Sequence, residues 1–165
     1  MDKRSTSTVI VLPIHPEYAH AIMAGRKKVE FRKKNIPDSI THVVVYATSP
    51  EKKVLGYFSV AEVVKAHPST LWERFESVGG IDNRLFDEYY SGQSYGLGIV
   101  IGDVVEIDKP FELRDVNGIL SAPQSFVYYR PNDWRNLKRR KRKVAPGATN
   151  KSLEPTARAS FLRGS

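Results

Sequence analysis

Gly25-Arg26-Lys27-Lys28-Val29-Glu30-Phe31-Arg32-Lys33-Lys34 sets six cations and one carboxylate in ten residues, directly after a short apolar stretch. Charge at that density, away from a chain end, needs a cause. Val29 and Phe31 alternate with Lys28, Glu30 and Arg32, so Lys28 to Arg32 reads as a strand with one apolar face turned to a core. Glu30 and Arg32 then share the opposite face. Lys27 has the wrong parity for that face, but Gly25 beside it permits a turn or bulge that re-aims it. Two readings stand side by side. Lys27, Glu30 and Arg32 converge on a polar planar ligand, with Arg32 supplying a rigid fork and Lys27 a compact charge, or the strand is exposed and its Glu30–Arg32 pair contributes almost nothing.

Working outward from the motif, Val9-Ile10-Val11-Leu12 is a continuous apolar run suited to a strand covered on both faces. Pro16 suits a first helical turn, and Tyr18, Ala19, Ile22 and Met23 at helical spacing predict a short helix that Gly25 ends. Pro37-Asp38 marks a turn before a strand over 41–48. Val54 to Val64, punctuated by Gly56, reads as a bent strand of the kind that turns a barrel corner. Glu62 falls on the face of Phe58, Val60 and Val64, which places it at a rim beside a cation or at a bulge.

Ser69 is a candidate cap for a helix carrying Leu71, Trp72 and Phe75. Asp82 or Asn83 is a candidate cap for another carrying Leu85, Phe86, Tyr89 and Tyr90, with Gly79-Gly80 as the joint between them. Both aromatic stripes read as core. Strands are expected over 95–101 and 104–107 around a hairpin turn at Gly102-Asp103. Gly96, Gly98 and Gly102 miss the dinucleotide-binding spacing, and no helix follows them, so a Rossmann site is rejected. A short strand over 111–113, a turn at Asn117-Gly118 and a closing segment over 123–129 complete the pattern.

A chain of 165 residues with 41% hydrophobic and 10% aromatic residues suits one soluble domain plus a tail. With no cysteine, disulfides and thiolate zinc sites are excluded, and the four histidines lack ligand spacing. No cofactor is expected. No apolar run reaches the length of a bilayer span and the N-terminus lacks a signal pattern, so no membrane partner and a cytoplasmic location are expected. The net charge of +8 is lopsided, because residues 131–165 hold ten Lys or Arg against two acids, while residues 1–130 balance sixteen against sixteen. The run Lys138-Arg139-Arg140-Lys141-Arg142-Lys143 begins a tail expected to be disordered and able to contact phosphates.

Gly25, Lys27, Glu30 and Arg32 match the G-x-K-x-x-E-x-R signature of the ASCH domain. Ile14-His15-Pro16-Glu17-Tyr18, Tyr46-Ala47-Thr48-Ser49-Pro50 and Ala122-Pro123-Gln124-Ser125-Phe126 resemble further family segments in order. The chain is similar to this family from about residue 8 to residue 130. The resemblance implies an α+β fold, a small PUA-like β-barrel with peripheral helices, divided as a frayed N-terminus (1–7), the ASCH domain (8–130) and the basic tail (131–165). It also implies an RNA or modified-nucleotide pocket, often in predicted transcriptional regulators, with Gly25, Lys27, Glu30 and Arg32 as ligand-binding candidates. Thr48, Gln124 and Ser125 join these through the resemblance alone. Tyr46, Tyr57 or Tyr95 could stack on a base.

The resemblance also suggests an enzyme. Some small ASCH proteins hydrolyse acylated cytidine nucleosides and others cut RNA, which makes Lys27 and Glu30 catalytic candidates. The amidohydrolase pattern carries a threonine nucleophile at the position of Glu30, and its absence here removes the attacking hydroxyl. A variant with Glu30 as general base and Lys27 as oxyanion stabiliser is chemically possible.

Overall fold

Strand β1 (Val9–Ile14) is buried at every position but Pro13, because it is covered on both sides, as its unbroken apolar run requires. Ile10, Leu12 and Ile14 pack with Ala19, Ile22 and Met23 of helix α1 (Pro16–Met23), while Val9 and Val11 belong to a second cluster on the opposite face. A computed structural model describes residues 6–115 and 125–144. In it β1 pairs in parallel with β3 (His42–Ala47), and the sheet runs β2-β5-β4-β3-β1-β6, with β2 at Val29–Arg32, β4 at Lys53–Ala66, β5 at Gly96–Phe111 and β6 at Val127–Tyr129. The fold is mixed α+β, a six-stranded sheet with peripheral helices. Among the described residues β2 and β6 do not pair with each other, so the expected barrel is not closed by a strand ladder.

The long strands β4 and β5 bend at register shifts between Val54 and Gly56 and on either side of Val60; extra residues in one strand kink a ladder in this way. Gly56 is needed at the first bend, since a Cβ there would meet the carbonyl oxygen of Val105 at 2.1 Å. The hairpin expected at Gly102-Asp103 is overturned, because β5 continues unbroken from Gly96 to Phe111. The Ser59 hydroxyl of β4 accepts the Asp103 N–H at 2.8 Å, which satisfies the backbone at a bulge where a turn was expected. Glu62 sits beside the last register shift and pairs with Arg74 at 3.1 Å on the surface. Phe111 ends β5, and a single 3-10 turn, Leu113–Asp115, follows in place of the short strand.

Helices α2 (Pro68–Phe75) and α3 (Asn83–Tyr89) cover the apolar face of β2, with Val29 and Phe31 packed among Leu71, Phe75, Phe86 and Tyr90. The cap of α2 is His67, whose Nδ1 accepts the Ser69 N–H, so Ser69 is the second residue of the helix and not its cap. Asp82 caps α3 as its sequence position suggests.

The boundary expected at residue 130 gives way to a further helix, α4 (Pro131–Lys138). Trp134 and Leu137, three apart on one helix face, are buried against Val9, Val11, Val44, Val54 and Tyr57. The second face of β1, β3 and β4 would otherwise expose a valine-rich surface, and α4 removes it from water. Beyond α4 the cationic run is tied to β5: the Asp108 N–H donates to Lys141 O and the Lys143 N–H to Glu106 O, both at 2.8 Å. Disorder is therefore not the state of residues 131–144. Residues 1–5, 116–124 and 145–165, which include the Asn117-Gly118 turn and Gln124, lie outside the described residues.

Candidate functional site

Lys27 and Glu30 are the two buried charged residues among those described, at 3% and 6% exposure. Buried charge is costly unless paired and hydrogen-bonded, and the local fold supplies partners. Helix α1 ends at Met23 and is followed by Gly25, whose positive φ of 79° turns the chain so that the N–H groups of Arg26 and Lys27 both return to Ala21 O. That turn corrects the parity of Lys27. Its ammonium donates to Gly79 O, lies 3.8 Å from Glu30 Oε1, and sits over the rings of Tyr18 and Phe31 at 5.1 and 5.2 Å.

The fork of Arg32 is turned largely to the protein itself. Nη1 donates to Glu30 Oε2 at 3.3 Å and to Pro13 O at 3.1 Å, and Nη2 donates to Ser125 O at 3.2 Å. The expected fork toward a ligand is thus occupied by a carboxylate and two carbonyls. The three charged groups converge, with Tyr18, Ile81 and Tyr89, on one cavity of about 180 Å³.

Burial holds the Lys27 ammonium below the ordinary lysine pKa, with the Glu30 charge opposing the shift. Burial also raises Tyr18, aided by the charges of Glu17, Asp82 and Glu30. Tyr89 is raised by burial, partly countered by Arg32. Its hydroxyl donates to Phe31 O at 3.3 Å and Lys33 lies over its ring at 4.6 Å.

Other candidates are placed elsewhere. Gly25 shapes the turn and does not line the cavity. Thr48 donates its N–H to Ile14 O at 3.0 Å, bracing the end of β1 without lining the cavity. Ser125 reaches the site through its carbonyl oxygen on Arg32. Tyr46 and Tyr57 are buried in the cluster that holds Trp134, and Tyr95 lies under Lys65. The tyrosines that line the cavity, beside Phe31 and His15, are instead Tyr18 and Tyr89, which the spacing assigns to helical core faces. Their hydroxyls are the usable signal, since a tyrosine on an apolar stripe asks for a polar outlet.

Gly79-Gly80 is also more than a joint. A Cβ on Gly80 would stand 2.8 Å from Lys27 Cβ, and one on Gly79 would stand 2.7 Å from the Phe31 ring. Only residues without side chains let this backbone close over the ammonium.

The motif strand, the turn at Gly25 and the buried charge set fall within the stretch matched by the ASCH domain profile, residues 12–114. The chain belongs to the ASCH domain family. An ASCH domain-containing ribonuclease of Zymomonas mobilis is 28% identical to it over 131 residues, 77% of this chain and 88% of that one. The crystal structure of ASCH from Zymomonas mobilis superposes with a TM-score of 0.72 at 26% identity, covering 79% of this ASCH protein and 93% of that chain. The N-terminal domain of Staphylothermus marinus McrB shares the fold alone, with a TM-score of 0.52 at 15% identity over 84% of this chain and 97% of that one. No helix among the described residues is long and apolar enough to cross a membrane.

Proposed function

We propose that this ASCH protein acts on RNA, holding one unstacked nucleotide in the cavity lined by Lys27, Glu30 and Arg32. The observation that carries the reading is a cation–carboxylate–cation set, with Lys27 and Glu30 buried and Arg32 partly so, opening on a cavity walled by Tyr18 and Tyr89. Single-stranded RNA is read by aromatic faces that stack on splayed bases and by polar groups that meet their edges. A cavity of about 180 Å³ is below the range of roughly 300–1,000 Å³ that suits drug-sized ligands, and is proportioned to a single base. The exposed cations of the run Lys138 to Lys143 add phosphate contacts that strengthen binding without selecting sequence. Membership of the family and the ribonuclease relative support RNA as the partner. None of the relatives described above carries a transcription-related name, and the reading does not extend to transcription.

Cleavage of RNA at the same cavity is a second reading, favoured by one observation: burial lowers the pKa of the Lys27 ammonium, and an amine so shifted exchanges its proton closer to neutral pH. Hydrolysis of acylated nucleosides has no comparable support, because Glu30 is held by two cations and supplies no hydroxyl. The test is binding of short single-stranded RNA to wild type, Lys27→Met and Tyr18→Ala, with gel analysis of products. Binding that both substitutions weaken supports the reading, and wild-type affinity in both removes the cavity from function. Products formed by wild type and lost in Lys27→Met establish cleavage.

A further inference from the structure

The polar groups of the cavity stand in a fixed order. Lys27 Nζ lies 3.8 Å from Glu30 Oε1, and Arg32 Nη1 lies 3.3 Å from Glu30 Oε2, so each carboxylate oxygen is flanked by a different cation. An ionised carboxylate offers about four lone-pair positions. Among the described residues each Glu30 oxygen has one such partner, which leaves a position on each oxygen for the cavity. Lys27 directs one hydrogen to Gly79 O and one toward Glu30, leaving a third. Arg32 adds little of its own, since both hydrogens of Nη1 and one of Nη2 are taken by Glu30, Pro13 O and Ser125 O. It is a positioning residue that holds Oε2 in place. The row offered to a ligand is donor, acceptor, acceptor.

We infer that the cavity selects guanine, read along its Watson–Crick edge by Lys27 and Glu30. The inference rests on the RNA reading above and names the base. Guanine presents an acceptor and two donors in sequence: O6, the N1 hydrogen and the N2 amino group. Laid against the row, O6 receives from Lys27, N1–H donates to Oε1 and N2–H donates to Oε2. The other bases fail at a definite atom. Adenine and cytosine set a ring-nitrogen lone pair beside their single amino group, so one Glu30 oxygen faces a lone pair. Uracil has one N–H between two carbonyls, so one Glu30 oxygen faces a carbonyl. At a carboxylate this deeply buried, an acceptor facing an acceptor has no water to relieve it. Glu30 is thus the residue that sets specificity, and Lys27 fixes the direction in which the edge is read.

The experiment titrates the full-length protein with single-stranded pentanucleotides UUXUU, X being guanosine, inosine, adenosine, cytidine or uridine, by fluorescence anisotropy. Guanosine should bind about tenfold or more tightly than adenosine, cytidine or uridine, and inosine, which lacks only the N2 amino group, should lose a large part of that advantage. Glu30→Gln replaces one acceptor by a donor and should level the panel. The inosine step, read on the unaltered protein, keeps the inference testable if that variant misfolds. Equal binding of all five oligonucleotides by wild type, or preference for another base, overturns the guanine assignment while leaving the RNA reading intact. Binding of none of them overturns both.

Discussion

The guanidinium of Arg32, on edge strand β2, donates to the carbonyl oxygen of Ser125, 3.2 Å away and two residues ahead of the opposite edge strand β6. A second bond to Pro13 O reaches β1, the neighbour of β6. The sheet that its backbone ladders leave open is therefore bridged by one side chain, and the same side chain orients Glu30 in the cavity. Seam and site share a residue.

Arg32→Lys keeps the charge but cannot serve three acceptors from one planar fork. Loss of charge-assisted bonds to partly buried carbonyls is expected to lower stability by about 1–3 kcal/mol, with weaker RNA binding as Glu30 loses its orientation. Urea unfolding of the variant checks the first part. Wild-type stability would show that the bridge contributes nothing.

Lys27→Met exchanges a buried ammonium for an apolar chain of similar length. Removing one member of a buried ion pair typically costs about 3–5 kcal/mol because the other charge is left uncompensated, and the bond from Arg32 that Glu30 keeps brings the cost to the lower end of that range. Stability lowered by about 3 kcal/mol, with RNA affinity of the folded variant lowered about tenfold or more, is the expected pair of results. A collapse in thermal stability with no change in affinity would assign Lys27 to the scaffold.

Gly80→Ala tests the lid over the ammonium. Gly80 has φ of 66°, and its added methyl would press on the stem of Lys27. Strain in the left-handed region costs of the order of 1–3 kcal/mol, and displacement of Lys27 should reduce RNA binding as well. Gly25→Ala, at φ of 79° but with open space around it, should share the strain and spare most of the affinity.

Truncation after Arg130 removes Trp134 and Leu137 from the cluster that covers β1 and β3. Loss of one large buried side chain typically costs about 3–5 kcal/mol, so this chain should be severely destabilised. Truncation after Val144 should leave the thermal midpoint nearly unchanged. Equal midpoints for the two truncations would contradict the role given to α4.

Tyr90 links stability to alkaline pH. Its hydroxyl donates to Arg32 O and Leu97 O, and burial pushes its pKa far above the ordinary tyrosine value. A folded-state pKa above the unfolded one gives a contribution that is complete below about pH 10 and fades as pH rises from there toward the folded value. Wild type should therefore exceed Tyr90→Phe in stability at pH 7 by about 1 kcal/mol, and the gap should narrow at pH 11. Because other titrating groups are common to both proteins, a gap that is constant with pH would argue against this link.

What the sequence determined by itself was local and periodic. Alternation from Lys28 to Arg32 was enough to put Val29 and Phe31 on one face and Glu30 and Arg32 on the other, since side-chain direction in a strand follows parity. The glycine after α1 marked the turn that re-aims Lys27, and the unbroken apolar run of β1 already demanded cover on both sides. Only the tertiary structure decided what provides that cover and what completes the site. Trp134 and Leu137 lie in a strongly charged segment, and their pairing with Val9 and Val11 depends on long-range contacts that periodicity does not carry. The same holds for Gly79 over Lys27, Tyr89 in the cavity wall and Ser125 on Arg32, residues 52, 58 and 93 positions from their partners. Burying two charges side by side is favourable only when such distant backbone carbonyls arrive to satisfy them, and their arrival is a property of the folded chain as a whole.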